Sequence, residues 1–140
     1  YGREGVNMFH FGKRSLNILD TVEEDLRLVM IETIKLTPID FGITEGMRTP
    51  ERARQLKKDG LSKLGIKSKH CYGYAVDIVC YNGKAITWEL DFYEAVAQVV
   101  GEVSGLVSIP IRWGGSWRTG DFKLNRDMKF IDAVHFELVR

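Results

Sequence analysis

The chain has 140 residues, of which 44% are hydrophobic and 11% aromatic, so it can bury a core and is not a disordered chain. We expect a single domain over residues 1–140, because this length is too short for two ordinary domains. Lys and Arg number 20 against 19 acidic residues, which excludes the strongly basic balance typical of nucleic-acid partners. No apolar run approaches the roughly 20 residues that cross a bilayer, so membrane insertion is not expected.

The first residues lack the apolar core of a secretory signal, and we therefore expect synthesis in a cytoplasm without a signal peptide. Residues 1–7 show no periodicity, and Met8 follows them. This order suggests that Met8 is the natural start and that residues 1–7 are disordered or were added in cloning. A processed natural N-terminus would look the same.

Three segments have the spacing and the end signals of helices. The first begins near Thr21, which pairs with Glu24 as a capping box, and it ends before Pro38. Thr49 and Pro50 open the second, which ends at Gly60. The third begins at Thr87. Its predicted buried face consists of Trp88, Phe92, Ala95, Val96, Val99 and Val103.

Four other segments predict strands, at residues 39–45, 75–81, 106–113 and 130–139. A tight turn is expected at Asn82-Gly83, and Pro110 places the third strand near an edge or a bulge. Residues 61–69 have the composition of a loop. The pattern predicts an α+β fold, in which three helices pack on a small, largely antiparallel sheet that bears the functional site.

Only three histidines are present, and two of them have carboxylates close by in the chain. Asp77 follows His70, and His135 lies between Asp132 and Glu137. Two imidazoles and a carboxylate, with one position left open to water, form a common catalytic zinc shell. A lone histidine is more often a structural residue, so these residues alone leave the choice open.

Two longer motifs narrow that choice. Residues 68–77 fit the pattern S-x-H-x-x-G-x-A-x-D, and residues 132–135 read Asp-Ala-Val-His. These motifs, in this order, resemble the signatures of the D-Ala-D-Ala metallopeptidase family, which includes zinc D,D-carboxypeptidases, D,D-dipeptidases and the L-alanyl-D-glutamate peptidases of phage endolysins. The likeness covers residues 9–138 and is strongest to the endolysin branch. It includes FGKRS at 11–15, EGMRT at 45–49, WGG at 113–115 and HFEL at 135–138.

The resemblance implies a role for each principal residue. His70, Asp77 and His135 would bind one zinc ion, and Asp132 would be the catalytic base that takes a proton from the attacking water. Arg48, otherwise a surface arginine before a helix, would stabilise the substrate carbonyl and the oxyanion formed from it. Residues three apart in a regular strand face opposite sides. Asp132 and His135 can therefore converge only if the chain turns or bulges between them.

Four further residues keep two interpretations each. Ser68 belongs to the first motif and is a candidate to bind the substrate or a ligand residue. Trp113 and Trp117 are candidates for the walls of a peptide groove, or are core aromatics at a strand end. Glu137 has the strand parity of His135 and would support that ring from behind, or simply form a salt bridge.

The two cysteines, Cys71 and Cys80, form no CxxC pair and no disulfide framework. Cys71 adjoins His70, and a thiolate is a strong zinc ligand. Cys80 lies at an odd separation from Asp77, which places it on the opposite face of a strand. We expect both to be structural thiols.

The resemblance implies a zinc endopeptidase that hydrolyses the L-alanyl-D-glutamate bond of peptidoglycan stem peptides, as a phage lysis enzyme does. Such an enzyme would be made in the cytoplasm of a host bacterium, act on the cell wall after release, and work as a monomer. Two alternatives remain open: a zinc D,D-carboxypeptidase that removes terminal D-alanine, and a non-catalytic zinc-containing module that binds the cell wall.

Overall fold

The computed structural model describes residues 8–117, 119–127 and 131–140 of the chain. Residues 1–7, which the sequence suggests are disordered or were added in cloning, lie outside the described residues. Phe130, where the last strand is predicted to begin, lies outside them too. Within the described ranges, no helix combines the length and the apolar character that crossing a membrane requires.

Four α-helices lie in the described part of the chain: α1 (Lys13–Leu19), α2 (Glu24–Leu36), α3 (Pro50–Lys58) and α4 (Leu90–Val107). The sequence predicts the last three but not α1, whose seven residues are too few for a helical period to stand out. Thr49 caps α3 as predicted, since its side chain accepts a hydrogen bond from the N–H of Arg52. The α+β class is confirmed, with one helix more than expected.

The predicted capping box at the start of α2 is wrong. Glu23 is the N-cap of α2, and its side chain makes no capping bond. The Thr21 hydroxyl instead donates to the carbonyl of Ile18 at 2.6 Å and accepts the N–H of Met47 at 2.9 Å. Thr21 thus ties the end of α1 to the segment that leads into α3, a long-range contact that a local motif does not reveal.

The third predicted helix, α4, differs from expectation at both ends. Its N-cap is Glu89, whose N–H donates to the Thr87 hydroxyl at 3.2 Å, and Trp88 lies before the helix with 67% of its surface exposed. At the other end α4 continues to Val107, and Ser108 ends it in the left-handed conformation. Residues 106–110 therefore belong to a helix and its exit rather than to a strand.

Five strands in the described residues form one antiparallel sheet. They are β1 (Phe41–Glu45), β2 (Ala75–Asn82), β3 (Ala85–Thr87), β4 (Ile111–Trp113) and β5 (His135–Leu138). The strand order is β1-β2-β5-β4, and β3 pairs with the end of β2 through the turn at Gly83, where φ is 64°. The turn at Asn82-Gly83 is confirmed.

The two faces of the sheet differ in chemistry, because successive side chains of a strand point to opposite sides. Val76 of β2 and Phe136 of β5 are fully buried and belong to the core formed with α2 and α4. Asp77 and His135, one residue away on the same two strands, lie on the other face. The sheet therefore separates the hydrophobic core from the face that carries the candidate site.

Candidate metal centre

Three side chains predicted to bind metal converge where β2 pairs with β5. Asp77 in β2 and His135 at the start of β5 are direct partners across the ladder. His70 lies in a short 3-10 turn, Lys69–Tyr72, that leads into β2. One ligand atom from each residue lies within 4.8 Å of those of the other two. The three residues form a group that can hold one metal ion.

The turn that carries His70 is fixed at both ends by residues of the first motif. The Ser68 hydroxyl accepts the N–H of His70 at 3.3 Å and so caps the start of the turn. Gly73 ends it with φ of 72°, a conformation that favours glycine. A side chain at Gly73 would also come within 3.3 Å of the Thr21 carbonyl. Backbone geometry therefore accounts for the serine and the glycine of the motif.

The ring of His70 is oriented by the backbone. Its Nδ1 lies 2.9 Å from the carbonyl oxygen of Gly46, which can only accept, so Nδ1 carries the proton. Its Nε2 faces Asp77, 3.3 Å from Oδ1. His70 is 2% exposed, and its Nε2 lone pair is therefore directed into the group of three.

Whereas His70 faces Asp77 with Nε2, His135 faces it with Nδ1. Its Nε2 lies 2.8 Å from Oε1 of Glu137, and its Nδ1 lies 3.2 Å from Oδ1 of Asp77. The two imidazole rings are 5.0 Å apart at an angle of 74°. One oxygen of Asp77 thus sits between Nε2 of one histidine and Nδ1 of the other, an arrangement suited to a shared cation.

The electrostatics of the group favour a bound cation. Burial would raise the pKa of Asp77, but the neighbouring His135 and His70 outweigh it and hold that pKa well below its usual value. Burial would lower the pKa of His135, but its bonds to Asp77 and Glu137 raise it. Positive charge at this point is therefore stabilised by two carboxylates, Asp77 and Glu137.

Asp132 lies beside the group on the segment that leads into β5. Its carbonyl accepts the N–H of His135 at 3.0 Å, and its own N–H donates to the carbonyl of Gly114 at 2.9 Å. The chain turns between Asp132 and His135, as expected if both residues are to reach the same site. Burial and the charge of Asp77 raise the pKa of Asp132, outweighing the attraction of the histidines and Arg48. A raised pKa makes this carboxylate a better proton acceptor.

Arg48 is held on the β1 side of the group. Its Nε donates to Oε1 of Glu45 at 2.6 Å, its Nη1 lies 3.5 Å from the Ser68 hydroxyl, and its backbone N–H donates to the carbonyl of His70. Burial would lower the pKa of Arg48, but Glu45 and Asp77 raise it, so the guanidinium stays charged. Ser68 is buried, and its hydroxyl bonds within the protein, to Arg48 and to the backbone of His70.

The two tryptophans have different surroundings. Trp113 is fully buried, donates from Nε1 to the carbonyl of Ala133 at 2.8 Å, and stacks on Phe136. Of the two interpretations that the sequence left open for Trp113, the structure agrees with a core aromatic and not with a wall of a groove. The ring of Trp117 is half-buried, 5.3 Å from the ring of His135, with the guanidinium of Arg112 4.8 Å above it. Trp117 therefore lies against the candidate site.

Both cysteines lie outside the group of three. Cys71 is half-buried, with its Sγ 3.9 Å from the carbonyl of Gly65. Cys80 is buried in the core, where burial and the charge of Asp40 raise its thiol pKa to about 12. A thiol with so high a pKa is a poor metal ligand at neutral pH, because metals bind the thiolate.

Three residues that contribute to the site are not identified by the sequence analysis. Gly46 acts through its carbonyl, and Lys69 bonds to Glu137, with Nζ 3.1 Å from Oε2. Gly114 packs so tightly on the Asp132 carbonyl that any side chain there would overlap it. Gly46 and Gly114 lie in segments typical of the endolysin branch, which is the one signal that could have drawn attention to them.

Comparison with known proteins agrees with this geometry. The chain matches the family described as phage L-alanyl-D-glutamate peptidase over residues 7–139. The L-alanyl-D-glutamate peptidase of Escherichia phage T5 is 34% identical over 135 residues, which cover 94% of this chain and 98% of the relative. Among solved structures, the L-Ala D-Glu endopeptidase ChiX of Serratia marcescens aligns with a TM-score of 0.81 and 28% identity. That alignment covers 98% of this chain and 95% of ChiX.

Proposed function

We propose that the chain, which belongs to the phage L-alanyl-D-glutamate peptidase family, is a zinc-dependent endopeptidase that hydrolyses the L-alanyl-D-glutamate bond of peptidoglycan stem peptides. The observation that carries the proposal is the convergence of His70, Asp77 and His135 beside the half-buried carboxyl of Asp132. Two relatives matched over nearly their whole lengths are named for this activity, which supports the choice of bond.

Zinc fits the donor set of the site. Two imidazoles and one carboxylate are a usual protein shell for catalytic zinc. Each imidazole gives its outer N–H to an acceptor, Gly46 or Glu137, so the nitrogen that faces Asp77 is free to bind the metal. When bound, zinc supplies a Lewis acid that polarises the substrate carbonyl and activates water.

Asp132 would carry the proton in this reaction. Its carboxylate would accept a proton from the attacking water as oxygen adds to the alanyl carbonyl carbon, and would deliver it to the glutamate nitrogen as the C–N bond breaks. The raised pKa of Asp132 suits both steps, because the group must hold the proton between them. Its backbone bonds to Gly114 and His135 would keep it in place.

Arg48 would stabilise negative charge on the carbonyl oxygen. A guanidinium held by Glu45 and Ser68 needs little rearrangement when that charge develops, and such preorganised donors contribute strongly to catalysis. Ser68 would act here by holding Arg48 and the His70 turn. Trp117, packed beside His135, would form a wall of the substrate groove.

A cleft of about 590 Å³ borders Glu45 and Gly46, which hold Arg48 and His70, but none of the proposed metal ligands lines it. It is lined by Lys13, Arg14, Asn17, Ile18, Thr21, Thr44, Glu45, Gly46 and Met47. As a phage lysis enzyme, the protein would be made in the cytoplasm of a host bacterium and would reach the wall on release.

Hydrolysis of purified peptidoglycan tests the proposal. The zinc-loaded protein should release new amino termini from the wall, whereas Asp132→Asn, loaded with zinc, should release almost none. Wall binding without new amino termini in the unmodified protein would instead identify a non-catalytic module.

A further inference from the structure

The carboxylate of Glu137 lies behind His135 and is bonded on both sides. Its Oε1 accepts the Nε2–H of His135 at 2.8 Å, and its Oε2 lies 3.1 Å from Nζ of Lys69. Only 8% of the Glu137 side chain is exposed, against 28% for Lys69. Burying a charged carboxylate is costly unless its partners compensate, so Glu137 depends on both of them.

Lys69 also joins the two elements that carry the histidines. It precedes His70 in the 3-10 turn, and its Nζ donates to the carbonyl of Leu138, at the end of β5, at 3.0 Å. A single ammonium group therefore reaches Glu137 and Leu138, both in the strand that begins with His135. The turn and the strand are tied together next to the candidate metal group.

We propose that Lys69 and Glu137 are a positioning pair that holds His135 with its Nδ1 atom towards the metal and keeps the two histidines in their relative places. The inference rests on the proposed function, because it takes His70, Asp77 and His135 as the zinc ligands. Neither residue of the pair contacts the metal or the substrate in this account.

His135 needs such a pair more than His70 does. The outer nitrogen of His70 bonds to the Gly46 carbonyl, which the backbone holds in place. The outer nitrogen of His135 bonds to a side chain, and that side chain is in turn fixed by Lys69. A carboxylate behind an imidazole also makes it a stronger metal ligand than a neutral acceptor does. Removing the charge of Glu137 should therefore weaken metal binding without removing a ligand.

Glu137→Gln tests this directly, because the amide keeps the size and a hydrogen-bond acceptor but loses the charge. The dissociation constant for zinc, measured by competition with a chelator, should rise about 10- to 100-fold, the usual effect of changing a group that supports a metal ligand. Zinc should also be released faster. Asp91→Asn is the matched control, since Asp91 forms an exposed ion pair with Arg126. Its dissociation constant should equal that of the unmodified protein.

The double variant Lys69→Met, Glu137→Gln separates positioning from simple stabilisation. It removes the ammonium that has lost its carboxylate partner, together with its bond to the Leu138 carbonyl, so the unfolding free energy of the metal-free protein reports the change in stability separately from zinc binding. Its zinc dissociation constant should remain raised. Unmodified zinc affinity in either variant would overturn the positioning role. An unmodified protein that binds no zinc or cleaves no peptidoglycan would instead overturn the proposed function.

Discussion

Asp77 and His135 face each other across the β2–β5 ladder, and Oδ1 of Asp77 lies 3.2 Å from Nδ1 of His135. Register fixes this pair, because a slip of one residue would turn one of the two side chains to the opposite face. His70 approaches the same oxygen from a turn, at 3.3 Å. The sheet thus supplies two members of the group, and the capped turn supplies the third.

Replacing a proposed ligand should remove the metal and the activity together. His135→Ala deletes one of three protein donors, so dialysed protein should retain far less than one zinc per chain, and peptidoglycan hydrolysis should be lost. His10→Ala is the control, since His10 is exposed and lies outside the group. Metal analysis and turnover assays measure both effects. Full zinc occupancy in His135→Ala would refute its assignment as a ligand.

Substitution by asparagine should lower kcat when it is made at Asp132 and should weaken zinc binding when it is made at Asp77. Asp132→Asn keeps the shape of the side chain but cannot accept a proton, so it should retain zinc and lose about 100-fold or more in kcat. Asp77→Asn replaces an anionic donor with a neutral one, so zinc should bind more weakly. Titration with zinc, together with kcat at saturating zinc, separates the two. Near-normal kcat in Asp132→Asn would show that another group is the base.

Arg48→Lys should reduce turnover while leaving zinc binding intact. Lysine keeps the positive charge but cannot bond to Glu45 and Ser68 while also presenting a donor to the substrate. Loss of a preorganised donor to the developing oxyanion typically lowers kcat about 100- to 1,000-fold. Arg52→Lys, at an exposed position of α3, is the matched control. An unchanged kcat in Arg48→Lys would rule out the proposed contact with the carbonyl oxygen.

Gly114 should not tolerate a side chain. A Cβ atom there would overlap the carbonyl of Asp132, so Gly114→Ala must displace the segment that carries the proposed base. Overpacking of this kind typically costs about 1–3 kcal/mol of unfolding free energy. In Gly105→Ala, where the space is open in α4, stability should rise by up to about 1 kcal/mol. Denaturant unfolding and peptidoglycan turnover test the pair, and unaltered activity in Gly114→Ala would contradict the packing argument.

The metal group could be predicted because two motifs of the sequence resemble the signatures of a metallopeptidase family, and that resemblance implies its three ligands. The same resemblance also predicts the turn between Asp132 and His135, since strand periodicity alone would separate them. The burial of Trp113 could not be predicted from the sequence, because the pattern of a short strand does not reveal which of its two faces packs against the core. The role of Lys69 depends on its approach to Glu137 through the fold, which local patterns do not encode.

The helix boundaries also depend on contacts that local sequence patterns do not encode. Thr21 and Glu24 have the spacing of a capping box, but the Thr21 hydroxyl is used by Ile18 and Met47 instead. Helix α1 has a pattern too short to recognise, although it packs against β1 and so lies close to the site. In both cases tertiary contacts decide the local structure.

The bond that is cleaved tests the central claim most directly. Intact peptidoglycan digested with the zinc-loaded protein, and analysed by mass spectrometry with amino-terminal labelling, should yield stem peptides that begin with D-glutamate or D-isoglutamine. L-Alanine should remain attached on the glycan side. Free D-alanine as the main product would contradict the endopeptidase assignment and would identify a carboxypeptidase built on the same zinc site.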